Sequence, residues 1–155
     1  MSIIKLETRI EAPKELCFDL SRSVEVHVQS TAHTSERAVD GRTSGLCELG
    51  DTITWRARHF GVFQYLTVRI TQMEPYRHFQ DRMVKGAFKE FVHDHFFEQE
   101  GSTTIMRDSF DYSAPLGFVG RFAERVFLDH YMRTLLVKRN AVIKRLAEDG
   151  GTGTS

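Results

Sequence analysis

Apolar and charged positions alternate from Ile4 to Glu11. A period of two is typical of a strand with one buried face, so we predict a first strand there. Pro13 follows, and proline suits the first turn of a helix. Apolar residues then recur at helical spacing, which predicts a short helix over 13–21 and a second one over 23–29.

The middle of the chain shows the period of two again, in five successive runs separated by glycine or proline. These runs predict five antiparallel strands, at 51–60, 62–74, 78–84, 87–99 and 103–112. Gly101-Ser102, between the last two, suits a two-residue hairpin loop because glycine accepts a positive φ. Residues 30–50 are irregular, with room for one or two short strands.

A helical period replaces the strand period in the last part of the chain. From Phe118 to Glu148 apolar residues recur every three or four positions, and no proline interrupts them. This predicts one amphipathic helix of about 25 to 30 residues. Gly150 is placed to end it, and we expect residues 150–155 to form a flexible tail. Nothing in the pattern marks a linker, so residues 1–149 are predicted to form a single ligand-binding domain.

The order of these elements predicts an α+β fold. A strand, two short helices, a meander and a long helix can assemble into a curved antiparallel sheet of six to seven strands. That sheet would wrap around the single C-terminal helix and bury its apolar face against it. A strongly curved sheet leaves space beside the helix, and such a space is a natural ligand cavity.

Six segments carry a resemblance to a known superfamily. They are Ala12–Asp19, Gly50–Trp55, Pro75–Asp81, Gly86–Phe97, Gly101–Thr104 and Tyr112–Gly117. In this order they resemble the helix-grip superfamily, also called SRPBCC or START-like, which includes the birch-pollen-allergen fold and the polyketide cyclase/dehydrase-like proteins. The resemblance covers nearly the whole chain and implies an internal cavity for an apolar small molecule such as a lipid, a steroid or a polyketide. A minority of such proteins catalyse cyclisation, dehydration or hydrolysis, so the resemblance does not specify a reaction.

Polar residues on inward strand faces are the candidates for chemistry. Strand alternation places His93 and His95 on one face together with aromatic residues. Counting back from the Gly101-Ser102 loop pairs His95 with Asp108, and a hydrogen bond between them would fix the imidazole tautomer and raise its pKa. The predicted ligand contacts are Trp55, His59, Asp81, Phe91, His93, His95, Asp108 and Tyr112.

Other interpretations of these residues remain open at this point. Phe88, Val92 and Phe96 occupy the opposite face of the same strand, so the strand could be inverted, or the histidines could form a satisfied internal network. His93 and His95 could also hold a metal ion with a third ligand from His59, Asp81 or Asp108. Two histidines separated by one residue on a strand are an unspecific signal, so we predict neither a metal nor any other cofactor.

Charge and composition exclude several classes of function. Lys and Arg total 21, as do Asp and Glu, so the formal net charge is zero, which argues against a nucleic-acid partner. No apolar run approaches the ~20 residues of a membrane span, and the N-terminus lacks a signal-peptide pattern. We therefore expect a cytoplasmic monomer or homodimer with Cys17 and Cys47 as reduced thiols. Glu36 is predicted to lie on a surface strand, and Arg139 on a solvated face of the long helix.

Three hypotheses about function follow. The leading one is binding or transport of a small hydrophobic molecule whose polar head meets the inward polar residues. The first alternative is an enzyme of the cyclase, dehydratase or hydrolase type that uses His95 and Asp108 as an acid-base pair. The second alternative is a protein-interaction module without a ligand, which predicts a collapsed cavity and an exposed apolar patch.

Overall fold

The computed structural model describes residues 2–114 and 122–150 of the chain. It contains seven strands and three α-helices within those ranges. The strands are β1 (Ser2–Ile10), β2 (Arg37–Gly41), β3 (Thr52–His59), β4 (Val62–Glu74), β5 (His78–Lys85), β6 (Glu90–Glu100) and β7 (Thr103–Ser113). The helices are α1 (Lys14–Ser21), α2 (Val24–Ser30) and α3 (Phe122–Gly150), with a short 3-10 turn at Ala32–Thr34.

The strands form one antiparallel sheet in the order β1-β7-β6-β5-β4-β3-β2. The β6–β7 hairpin has the predicted register, because Glu100 pairs with Thr103 and His95 pairs with Asp108. Gly101 in its loop has a φ of 61°, the left-handed conformation that glycine adopts at little cost. The predicted α+β architecture, with two short helices after the first strand and a long C-terminal helix, is confirmed.

Local sequence explains where the helices begin and end. Pro13 precedes α1 in an extended conformation, while the hydroxyl of Ser23 accepts a hydrogen bond from the backbone N–H of Val26 and caps α2. Gly150 belongs to the last turn of α3, although we expected it to stop the helix. The predicted helix residues 118–121 and the tail residues 151–155 lie outside the described ranges.

One end of the space between sheet and helix is filled with side chains. Ile143 and Ala147 of α3 pack there with Phe18 of α1 and with Phe79 and Phe97 of the sheet. The aromatic rings meet edge to face, with Phe18 5.5 Å from Phe79 and 5.3 Å from Phe97, an arrangement that stabilises a core. This packing anchors the C-terminal half of α3, so the remaining space lies toward the other half.

Both cysteines are buried free thiols. In the described part of the chain, no helix is long and apolar enough to cross a membrane.

Candidate functional site

A cavity of about 510 Å³ lies between the inner face of the sheet and α3. Its walls are mostly apolar, which suits the body of a small hydrophobic molecule. They include Ile53, Trp55, Leu66, Val68, Phe91, Phe110, Leu128, Met132 and Leu136. The collapsed cavity expected of an interaction module is therefore not observed.

The face of β6 that carries the two histidines points into this cavity. His93 and His95 are both buried and both line the cavity, whereas Phe96 on the opposite face is 43% exposed. Phe91 and Phe97 share the inward face and are buried as well. The inverted orientation of this strand is wrong, because inversion would bury Phe96 and expose the histidines.

The two histidines make crossed hydrogen bonds with two aspartates, and together these four residues form what we call the deep cluster. His93 Nε2 lies 2.8 Å from Asp108 Oδ1, and His95 Nε2 lies 2.8 Å from Asp81 Oδ1. The pairing by register is the reverse, since Asp108 stands opposite His95 and Asp81 opposite His93. Each bond is thus diagonal, which long side chains on neighbouring strands can span. The expected short bond between His95 and Asp108 is replaced by a longer approach of 3.4 Å from Nδ1 to Oδ1.

The surroundings shift the pKa values of the two histidines in opposite directions. His95 Nε2 lies 2.8 Å from Asp81 Oδ1, while Nδ1 lies 3.4 Å from both Asp108 Oδ1 and Arg139 Nη2. Burial lowers the pKa of His95, but the hydrogen bonds with Asp108 and Asp81 outweigh it and the pKa is raised. Burial, together with the charge of the neighbouring His95, lowers the pKa of His93. The two ring centroids lie 3.8 Å apart, with the ring planes tilted by 32°.

Two residues of α3, Arg139 and Asn140, join these four residues and are counted with the deep cluster from here on; the sequence analysis missed both. Arg139 is only 6% exposed, lines the cavity and places Nη1 3.6 Å from Asp108 Oδ1. Asn140 donates from Nδ2 to the other oxygen of Asp108 at 2.7 Å. The expectation that Arg139 lies on a solvated face is wrong. Positions 139 and 140 follow Leu136 by three and four residues, so they continue the buried stripe of the helix.

Two of the predicted ligand contacts lie outside the cavity wall in the described part of the chain. Asp108 is behind the histidines, where burial would raise its pKa but the hydrogen bonds from His93 and His95 hold it well below the usual range. Tyr112 is packed in the core, with its hydroxyl 3.3 Å from Asp129 Oδ1. The residues that do line the cavity are Trp55, His59, Asp81, Phe91, His93 and His95.

A second polar group, which we call the mouth cluster, lies where the cavity opens. It consists of His27, Glu36, His59 and Tyr131, all of which line the cavity. His27 Nε2 lies 2.8 Å from Glu36 Oε1, and His59 Nδ1 lies 2.6 Å from the hydroxyl of Tyr131. Phe60 lines the cavity beside them and is 55% exposed, so this end of the cavity reaches the surface.

Only part of the mouth cluster could be found from the sequence. His59 follows from strand alternation, and His27 lies one helical turn after the buried Val24 in α2. Glu36 was expected on a surface strand, but its side chain is only 12% exposed. It lies just before β2 in an irregular segment, where no periodicity indicates which way a side chain points.

Asp81, His93 and His95 are also the residues that could hold a metal ion in the described part of the chain. One donor atom from each lies within 4.8 Å of the others, and zinc accepts such ligands. However, both nitrogens of His95 already face carboxylates, and Arg139 Nη2 lies 3.4 Å from His95 Nδ1. The guanidinium supplies positive charge where an ion would supply it, so the arrangement favours an ion-pair network.

Cys47 lines the cavity but is unsuited to nucleophilic chemistry. Burial, more than the nearby charges, raises the pKa of its thiol to about 12. Only the thiolate is strongly nucleophilic, so Cys47 contributes a small apolar surface to the wall.

Comparison with known proteins shows which fold this is. Neither a protein-family model nor a curated protein sequence matches the chain. Among solved structures, TTHA0849 from Thermus thermophilus is 17% identical with a TM-score of 0.70, over 92% of this chain and 97% of that one. Zhui aromatase/cyclase from Streptomyces sp. R1128 is 12% identical with a TM-score of 0.78, over 96% and 94%.

A plant protein shares the same architecture. The major latex-like protein 151 from Panax ginseng is 16% identical with a TM-score of 0.66, over 94% of this chain and 97% of that one. At these identities the comparisons establish the fold alone. The structure therefore has the helix-grip fold of the SRPBCC, or Bet v 1-like, proteins, as the sequence resemblance implied.

Proposed function

We propose that this protein binds, and carries, a small hydrophobic molecule with a polar head in the cavity between its sheet and α3. The observation that supports this most directly is the cavity of about 510 Å³, with apolar walls and a buried polar cluster at its inner end. Burying polar and charged groups is costly unless they are paired or used. A ligand whose apolar body matches these walls and whose polar head reaches the polar cluster would fill this space.

The polar head would meet the deep cluster. His93 lines the cavity, and its Nδ1 has no hydrogen-bond partner among the described residues. Since Nε2 donates to Asp108, the neutral ring offers Nδ1 as an acceptor. The second oxygen of Asp81 and the remaining N–H groups of Arg139 supply further acceptors and donors. Trp55, whose ring lies against His27 with centroids 4.1 Å apart, would form an aromatic wall for the apolar body.

Native mass spectrometry of the purified protein beside a denatured control tests this function. We expect an adduct of the mass of a small molecule that disappears on denaturation. Trp55→Ala and His95→Gln should weaken retention. His78→Gln is the matched control for His95→Gln, because His78 makes a 2.7 Å bond to Asp94 and stacks on Phe96 without lining the cavity. Equal retention in all variants would contradict the proposed site.

A second candidate function, acid-base catalysis on the bound molecule, is favoured by one observation. His93 and His95 lie with ring centroids 3.8 Å apart in one buried site, and their pKa values are shifted in opposite directions, which is typical of catalytic sites. In this interpretation His93, held at Nε2 by Asp108, takes a proton from the bound molecule through Nδ1 and returns it to a departing hydroxyl group, which leaves as water. A retained ligand should then be converted to a product that differs by one water. His93→Gln should abolish conversion while the adduct persists, and persistence of conversion in this variant would exclude the mechanism.

The cytoplasmic location, the monomeric or homodimeric state and the absence of a nucleic-acid partner stay predictions of the sequence.

A further inference from the structure

The cavity is polar at two separate places, and this limits which molecule fits it. Tyr131 of the mouth cluster and Arg139 of the deep cluster both lie on α3. Eight residues separate them, which corresponds to about 12 Å along the helix axis. Leu135, Leu136 and Met132 line the cavity in the same stretch of helix, so an apolar middle section lies between two polar ends.

The basic side chains of the cavity wall already have acidic partners. Arg139 lies 3.6 Å from Asp108, and Arg22 lies 2.9 Å from both Asp19 and Glu48. These are the arginines that line the cavity in the described ranges, and no described lysine lines it. In the deep cluster, two carboxylates face a single guanidinium and hydrogen-bond both histidines, so this end offers no unpaired cation.

The mouth cluster has no surplus of positive charge either. Burial would raise the pKa of Glu36, but the charge and hydrogen bond of His27 outweigh it and the pKa is lowered, which keeps Glu36 ionised. Burial lowers the pKa of His59 and raises that of Tyr131, so both are neutral near neutral pH. This end therefore presents the pair of Glu36 and His27 beside the imidazole of His59 and the phenol of Tyr131, which can exchange hydrogen bonds with a neutral group.

We propose, building on the binding function proposed above, that the occupant is a neutral molecule with a hydroxyl-like group at each end of an apolar body, and that carboxylate amphiphiles such as fatty acids are rejected. A carboxylate would lose its hydration without finding an unpaired cation at either end, and burying a charge in that way is strongly unfavourable. A hydroxyl can both donate and accept, so it can bond to Glu36 or Tyr131 at the mouth and to Asp81 or His93 inside.

A series of linear compounds of equal chain length tests the proposal. An α,ω-alkanediol, the corresponding 1-alkanol and the corresponding alkanoate would compete with a fluorescent apolar probe for the wild-type protein. The diol should bind about fivefold to tenfold more tightly than the alkanol, the gain expected from one additional hydrogen bond. The alkanoate should bind at least about tenfold more weakly than the alkanol, because its charge is desolvated without a counter-ion.

Two variants locate the effect at the mouth. Tyr131→Phe removes one hydroxyl, so the preference for the diol over the alkanol should shrink toward one. Tyr65→Phe is its control, because Tyr65 is exposed and does not line the cavity. Glu36→Gln keeps the size and removes the charge, so it should improve the binding of the alkanoate severalfold relative to that of the alkanol.

The outcomes separate this inference from the binding function on which it rests. If the alkanol displaces the probe but the diol has no advantage and the alkanoate binds as tightly, the two-ended neutral ligand is wrong and the binding function stands. If none of the three compounds displaces the probe and the native mass shows no adduct, both proposals fall.

Discussion

Asp108 connects the two histidines to α3, and its replacement should destabilise the protein strongly. The carboxylate accepts hydrogen bonds from His93 at 2.8 Å and from Asn140 at 2.7 Å, with Arg139 3.6 Å away. Asp108→Asn keeps the shape but removes the charge, so the buried guanidinium of Arg139 would lose the carboxylate that lies 3.6 Å from it. Breaking a buried ion pair by removing one partner costs about 3 to 5 kcal/mol. We expect the free energy of unfolding to fall by about 3 kcal/mol, the lower end of that range.

The same carboxylate makes stability depend on acid pH. Burial would raise the pKa of Asp108, but the hydrogen bonds from His93 and His95 hold it well below its ordinary value. A group whose pKa is lower in the folded state stabilises the fold above the unfolded pKa, about 3.9 for an aspartate. That contribution is lost as the pH falls through the folded pKa. Acidification below about pH 4 should therefore remove stability from the wild type, and Asp108→Asn should lack this component.

Urea-induced unfolding, followed by circular dichroism at neutral and acid pH, measures both effects. Asp94→Asn is the matched control, because Asp94 makes the same kind of bond to His78 at 2.7 Å with a side chain that is 25% exposed. Solvent screens that pair, so we expect a loss of at most about 1 kcal/mol there. Equal losses in the two variants, or an unchanged acid dependence in Asp108→Asn, would refute the reasoning.

Four further predictions follow from burial and from the cavity wall. Arg139→Met should lower the free energy of unfolding by about 3 kcal/mol in denaturant titrations, because it leaves buried carboxylates without their cation. The control Arg145→Met, on the exposed side of α3, should change it by at most about 0.5 kcal/mol. Similar losses in the two variants would contradict the burial of Arg139. Ile143→Ala should cost about 2 to 5 kcal/mol in the same titrations, since the residue is fully buried in the packed end, and a loss under about 1 kcal/mol would contradict that packing. Trp55 is the only tryptophan and lines the cavity, so a bound ligand should change its fluorescence in proportion to occupancy, and a constant signal at saturation would place the ligand elsewhere. Cys47 should react with a thiol reagent far more slowly in the native than in the denatured protein, because burial raises its pKa to about 12; equal rates would show that its thiol is accessible.

Local periodicity was sufficient for most of the fold. The alternation in β6 and β7 and the short loop at Gly101 predicted a hairpin whose register the structure has, including the pair of His95 with Asp108. Such a register depends on neighbouring residues of the chain and on a turn of known length, and both can be counted. Counting residues could not predict whether the His93 face of β6 points inward, because Val92 and Phe96 make the opposite face of the strand apolar as well.

The chemistry of the site depends on contacts between residues that are distant in the chain. Which carboxylate each histidine bonds is decided by how side chains lean across the sheet, and the register by itself pairs them the other way round. Arg139 is charged, and charged residues on helices are mostly solvated. The burial of Arg139 required an acidic partner. That partner, Asp108, lies in β7, so no pattern among the residues near Arg139 in the chain could predict the pair.

The sequence by itself determined the order of the elements and the antiparallel hairpins, because these follow from periods of two and of three to four along the chain. The tertiary structure decided that the histidine face of β6 points inward, that the cavity stays open, that Arg139 closes its inner end and that Glu36 turns inward at its mouth. Those outcomes depend on how a curved sheet and a long helix fit together, and on which buried charges meet a partner there. They are properties of packing and charge compensation in three dimensions, which no periodicity along the chain encodes.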